Sequence, residues 1–198
     1  MSRSLREAEV LATDLDRTFS TLDLRPDAEA VRAATRLRRR GTTCILATGQ
    51  GLWALSKWPS LAYTFNGFVL EGGAVWGTPG RWRVCAEGMA DVFAVAQRLT
   101  ERGVRVSRGF ASLSIARRDG PALSRIPAAA GCAVHPNRDR IDILPKGVDK
   151  GVGVRALLQD WDRPRARVVA IGDGENDIGL FSVSDYAVAV ANAVPSLR

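Results

Sequence analysis

The feature that most restricts this chain is a set of short, unbroken apolar runs, each cut off by a polar residue or glycine. Val10-Leu11-Ala12-Thr13 stops at Asp14-Leu15-Asp16-Arg17-Thr18, and Thr42-Thr43-Cys44-Ile45-Leu46-Ala47 stops at Thr48-Gly49. Arg167-Val168-Val169-Ala170-Ile171-Gly172 stops at Asp173, and Phe68-Val69-Leu70 runs into Glu71-Gly72-Gly73-Ala74. Runs this short, with no polar alternation, read as strands buried on both faces rather than as helices. Segment 186–190 reads as a last strand. Between them, 27–40 has helical spacing, opened by Pro26 and Asp27 and closed by Gly41. A shorter helical stretch carries Trp53, Leu55 and Trp58, and two more are expected over 149–161 and 177–181. Alternation of this kind builds an α/β fold: a mostly parallel sheet with helices on both faces.

Residues 76–145 break the pattern. Segment 81–86 alternates like a strand, 104–117 reads as a long strand or hairpin, and 141–144 as a further strand, with helices expected over 89–102 and 121–130. Half-polar strands imply a sheet with one solvated face. The expected organisation is a core of residues 1–75 and 146–198 carrying a small inserted α+β module at 76–145.

Composition narrows the function classes. With 198 residues, 46% hydrophobic and 25% charged, the chain can bury one core plus an insertion without disulfide or metal staples. No apolar run is long enough to cross a membrane, and the start, MSRSLREAEV, lacks the apolar stretch of a secretory signal. A cytoplasmic protein is the expectation. Cys44, Cys85 and Cys132 are too scattered for a Cys-x-x-Cys pair, and His135 is the single histidine; a structural zinc site is not expected, and a reducing compartment is. The net charge of +7 comes mostly from dispersed arginines. The densest group, Arg36, Arg38, Arg39 and Arg40, ends a helix, where cations complement the helix dipole. Without a nucleic-acid-binding motif, no nucleic-acid partner is expected. Arg105, Arg108, Arg117 and Arg118 are expected on a solvated strand face of the insertion, and the tryptophans in packing.

Ligands of open parallel sheets bind outside the carboxyl ends of the strands. There this chain places Asp14 and Asp16, Thr48 and Gly49, and the run Gly172-Asp173-Gly174-Glu175-Asn176-Asp177, with Lys150 opening the preceding helix. Crowded carboxylates repel and need positive charge among them. Mg2+ suits oxygen ligands that must also hold a phosphate, and Lys150 adds a point charge for a phosphoryl oxygen. The Thr48 hydroxyl and the Gly49 amide can meet the same anion. The set suggests phosphoryl transfer, in which an aspartate can serve as nucleophile. No Gly-x-x-x-x-Gly-Lys sequence is present, so a nucleoside-triphosphate P-loop is excluded.

In order and content, Asp14-Leu15-Asp16-Arg17-Thr18, Thr48-Gly49, Lys150 and Gly172-Asp173-Gly174-Glu175-Asn176-Asp177 resemble the four motifs of the haloacid dehalogenase superfamily. Gly147-Val148-Asp149-Lys150-Gly151 is similar to its lysine motif, and the insertion resembles its type IIB cap. The resemblance covers about residues 10–192 and is nearest to small sugar-phosphate, phosphoglycolate and mannosyl-phosphoglycerate phosphatases. It implies a Rossmann-like core and a Mg2+-dependent phosphatase acting on a small phosphorylated metabolite through an aspartyl-phosphate. By the same resemblance Asp14 is the nucleophile and Asp16 the general acid–base. Mg2+ is held by Asp14, Asp173, the Asp16 backbone carbonyl and, directly or through water, Asp177, which Asn176 orients. Thr48, Gly49 and Lys150 hold the phosphoryl oxygens, and the cap closes over them. A phosphomutase on the same fold and a non-catalytic basic binding protein are the alternatives. Three departures stand near the site: Arg17 where glycine is common, Gln50 where arginine or asparagine is familiar, and Gly72 in a Glu-Asn-Gly-Ala-like segment. Relatives also continue past the last strand with another strand and helix, whereas this chain stops at Arg198.

Overall fold

The computed structural model describes residues 8–198. Its larger sheet is made of β1 (Val10–Thr13), β2 (Thr43–Ala47), β3 (Gly67–Leu70), β4 (Val75–Thr78), β5 (Arg81–Val84), β10 (Val168–Gly172) and β11 (Tyr186–Ala189), in the order β11-β10-β1-β2-β3-β4-β5. The strands from β11 to β3 run parallel, and β4 and β5 add an antiparallel hairpin to the β3 edge. From β1 the chain winds outward one way through β2 and later returns to the other side through β10. That reversal is the topological switch point at which such sheets bind ligands, and it puts Asp14 there.

Successive side chains of a strand face opposite ways, and the two faces of this sheet have separate cores. On one, Val10, Ala12, Ile45, Ala47 and Val69 pack under Val154, Leu157 and Leu158 of α5 (Lys150–Asp160) and Leu180 of α6 (Ile178–Ser182). On the other, Cys44, Leu46, Phe68 and Leu70 meet Ala34 of α1 (Ala28–Arg39), Leu61 of α3 (Ser60–Thr64) and Leu55 of α2 (Trp53–Lys57). Helix α1 starts where the sequence suggests, because Asp27 Oδ1 accepts from the Glu29 and Ala30 amides, both at 2.9 Å. The unbroken apolar runs are thus explained by burial on both sides. Burial also pushes the Cys44 thiol up to about 11.

The second sheet is wholly antiparallel, in the order β6-β7-β9-β8, formed by β6 (Ser107–Arg108), β7 (Leu113–Ala116), β8 (Cys132–Asn137) and β9 (Arg140–Pro145). Helix α4 (Met89–Glu101) covers one face through Val92, Val95, Ala96 and Leu99, against Leu113, Ile115 and Ile143. The other face carries Ser114, Arg140 and Asp142 toward the larger sheet's carboxyl edge. Two expectations change. The strand expected over 81–86 pairs with β4 in the larger sheet, and Trp82 sits 6.1 Å from Phe68 there. The helix expected over 121–130 is instead two 3-10 stretches, Arg117–Arg125 and Pro127–Gly131, since Pro121 and Pro127 supply no amide hydrogen. No helix among the described residues is long and apolar enough to cross a membrane.

Candidate active site

Three loops at the carboxyl edge and the first turn of α5 build the site. Asp14 directly follows β1 and is fixed to the sheet by its amide, which donates to the Ile171 carbonyl at 2.9 Å. Lys150 enters α5 beside Asp149, whose carboxylate caps the helix by accepting from the Val152 amide at 2.8 Å. With 1% of its surface exposed, Lys150 donates from Nζ to Asp14 Oδ1 and to Asp177 Oδ1, each at 2.6 Å. The other Asp177 oxygen accepts from the Asp173 amide at 2.9 Å and the Gly174 amide at 3.0 Å, which folds the loop after β10 back on itself. Only glycine fits before that loop: a Cβ on Gly172 would lie 2.6 Å from Asp177 Oδ2.

Carboxylate oxygens of Asp14, Asp173 and Asp177 all lie within 4.8 Å of one another, and all three residues are buried. Asp14 Oδ2 is buried with no hydrogen-bond partner. Burial raises the Asp14 carboxyl well above the usual carboxylate range; Lys150 opposes this, while the Asp177 and Asp16 charges add to it. Burial alone would pull the Lys150 ammonium down, but Asp14 and Asp177 overcome it and hold it charged, above an ordinary lysine. Three buried acids facing one lysine, with an orphaned carboxylate oxygen among them, fit a hard divalent cation such as Mg2+.

The remaining expected residues are distributed around this cluster. Asp16 is outside it: Gln50 Nε2 donates to both of its oxygens, at 2.6 and 2.8 Å. Thr48 is fully buried, and its hydroxyl accepts from the Gln50 amide at 3.1 Å. Gly49 faces the second sheet. A Cβ there would lie 3.4 Å from Asp142 Oδ2, 3.7 Å from Asn137 Nδ2 and 4.0 Å from Asn176 Nδ2. Arg17 adopts a left-handed φ of 64°, and its carbonyl accepts from Asn192 Nδ2 at 3.0 Å.

Several participants were not legible as such in the sequence. Arg138, in the turn between β8 and β9, forms an ion pair with Asp173. Glu71, buried and at φ 50°, accepts from the Phe110 amide at 2.8 Å, the Ala111 amide at 3.0 Å and the Ser112 hydroxyl at 2.9 Å. Through these bonds it grips the β6–β7 hairpin from the larger sheet; the glycine-rich segment after β3 was the one signal that pointed to it. Arg105, Arg117 and Arg118 are exposed, as expected, but not on a strand face: Arg105 lies in a loop, and Arg117 and Arg118 open a 3-10 stretch, from which Arg117 reaches Glu175 at 4.0 Å. Arg108, in β6, reaches the wall of a cavity of about 780 Å3. That cavity lies between the 49–53 loop and the polar face of the second sheet. Trp53 departs from the packing expected of the tryptophans, lining the cavity with 56% of its surface exposed.

Comparison with known proteins identifies the family. The family profile described as haloacid dehalogenase-like hydrolase matches residues 127–198. A phosphoglycolate phosphatase of Pyrobaculum aerophilum is 31% identical over 203 residues, covering 96% of this chain and 86% of that protein. Phosphoglycolate phosphatase 2 of Saccharolobus solfataricus is 48% identical over 65 residues, 33% of this chain and 28% of that protein. Among solved structures, a haloacid dehalogenase-like hydrolase from B. subtilis superposes with a TM-score of 0.81 at 14% identity, covering 96% of this chain and 91% of that one. Sheet order, the sequence of site segments and near-full-length identity converge: the chain belongs to the haloacid dehalogenase-like hydrolases, as one of their phosphatases.

Proposed function

We propose that this chain is a Mg2+-dependent phosphatase that hydrolyses a short phosphorylated acid of the phosphoglycolate type by way of an aspartyl-phosphate. The observation that carries the reading is the buried Asp14–Lys150–Asp177 triad with Asp14 Oδ2 left unpartnered beside Asp173. The phosphoglycolate phosphatases among its relatives support the substrate class.

Asp14, Asp173 and Asp177, with the Asp16 carbonyl, would hold Mg2+, which when bound neutralises phosphoryl charge as a Lewis acid. Lys150, the Thr48 hydroxyl and the Gly49 amide bind phosphoryl oxygens. An Asp14 carboxylate oxygen attacks phosphorus; the ester P–O bond breaks, and its electron pair leaves on the alkoxide oxygen, which takes the proton of Asp16. The Asp16 carboxylate then removes a proton from water, whose oxygen attacks phosphorus. The bond from phosphorus to Asp14 breaks, releasing inorganic phosphate and the free carboxylate. Gln50, bonded to both Asp16 oxygens, orients this acid–base. The inserted sheet with α4 acts as the cap that excludes water and selects the leaving group.

Phosphate release from 2-phosphoglycolate with Mg2+, with EDTA, and with Asp14→Asn tests the reading. Mg2+-dependent release that falls at least about 10^3-fold in Asp14→Asn is the expected result. Wild-type activity in that variant would overturn the nucleophile assignment, and isomerisation without phosphate release would identify a phosphomutase.

A further inference from the structure

Charged groups on the cavity wall are Asp16, Glu71, Asp142, Arg108 and Arg140. Each carboxylate already has a donor: Asp16 has Gln50, Glu71 has the β6–β7 hairpin, and Asp142 has Asn137 Nδ2 at 3.0 Å. Arg108 is exposed at the rim, with its guanidinium turned toward the Thr100 hydroxyl at 3.5 Å.

Arg140 differs from all of these. It is half-buried, and its Nε donates to Ser114 Oγ at 2.8 Å and its Nη2 to Ser107 Oγ at 3.1 Å. Both partners are neutral, and no carboxylate among the described residues pairs with it. The two hydroxyls fix the plane of the guanidinium but leave it without a direct ion pair among the described residues and its Nη1 hydrogens undirected. A guanidinium held in this way is a preorganised receptor for a carboxylate, which it can meet with two parallel hydrogen bonds.

Its position relative to the phosphate loop follows from the strand. Arg140 and Asp142 lie on the same face of β9, about 7 Å apart along it, and Asp142 Oδ2 is the atom nearest to a Cβ placed on Gly49. Arg140 thus lines the same cavity as Gly49, about 7 Å along β9 from the residue that faces Gly49, a span that a leaving group a few carbons long can bridge.

We propose that Arg140 is the specificity-determining residue, receiving a carboxylate on the leaving group so that short phosphorylated carboxylic acids are preferred to neutral phosphate esters of similar size. This rests on the phosphatase reading above and adds to it the residue that chooses the substrate.

The test compares kcat/KM for 2-phosphoglycolate and for glycerol phosphate in wild type, Arg140→Gln and Arg140→Lys. The expected result is a fall of about 10- to 100-fold in the acid-to-neutral ratio for Arg140→Gln, the size of one lost charge-assisted pair. Arg140→Lys should recover part of the ratio, since it keeps the charge and loses the fork. Equal losses on both esters, or no loss on either, would overturn the proposal. Failure of the phosphatase reading would show differently, as no release from either ester by wild type. Calorimetric titration of 2-phosphoglycolate into wild type and Arg140→Gln then decides: weaker binding by the variant supports the subsite, and equal binding removes it.

Discussion

Arg17, Glu71 and Arg138 have left-handed backbones, a conformation that costs an L-residue roughly 1–2 kcal/mol. For Glu71 and Arg138 the side chain offsets that cost, because one accepts three hydrogen bonds from the hairpin loop and the other pairs with Asp173. Arg17 has no such return: among the described residues only its backbone is engaged, by Ser20 Oγ at 2.9 Å and by Asn192. The need for φ near 64° also explains why glycine is the familiar residue in this turn. Arg17→Gly should therefore raise the unfolding free energy by about 0.5–1 kcal/mol in urea titrations. An unchanged or lower value would mean that the Arg17 side chain stabilises the turn.

At the level of elements, the ties between the second sheet and the first include Glu71 to the β6–β7 hairpin and Arg138 from the β8–β9 turn to Asp173, beside a looser pair at 4.0 Å between Arg117 and Glu175. The first is sterically close, since a Cβ on Gly109 would lie 2.3 Å from Glu71 Oε2. Glu71→Ala should speed hydrogen exchange at the Phe110 and Ala111 amides by about 10- to 100-fold, the loss of one charged hydrogen bond at each. Glu71→Gln should lose protection at one of the two amides only, because its Nε2 faces a donor while its Oε1 still accepts; protection retained at both amides in Glu71→Ala would show that the hairpin holds itself. How much of this was legible in sequence depends on the range of the interaction. The core strands announce themselves because burial on both faces leaves an unbroken apolar run, and the strand ends then locate Asp14, Thr48, Asp173 and Asp177. Alternation over 81–86 reveals a strand but not its partner, so its place beside β4 was not readable. The two ties are fixed only by packing between sheets, and a turn such as Asn137-Arg138-Asp139 carries no local sign of what its arginine reaches.

For the molecule as a whole, a cation at the proposed site would link metal binding to stability. A cation bound only by the folded chain adds about 2.7 kcal/mol at a hundred times its Kd. In a chain of this size that corresponds to a rise of roughly 5–10 °C in Tm. Scanning calorimetry with and without saturating MgCl2 should show that rise, and Asp173→Asn should abolish most of it; an equal rise in that variant would place the cation elsewhere. The order in which the chain is synthesised matters as well. Asp14 and Lys150 are 136 residues apart, and β1 gains its neighbour β10 only when Val168 and its successors have been added. A growing chain on the ribosome thus displays Asp14, the proposed nucleophile, early, beside an open sheet edge and without the acids of the 173–177 loop. A nascent chain that ends before the 173–177 loop lacks part of the proposed site, so hydrolysis of a phosphate ester waits until that loop has been added.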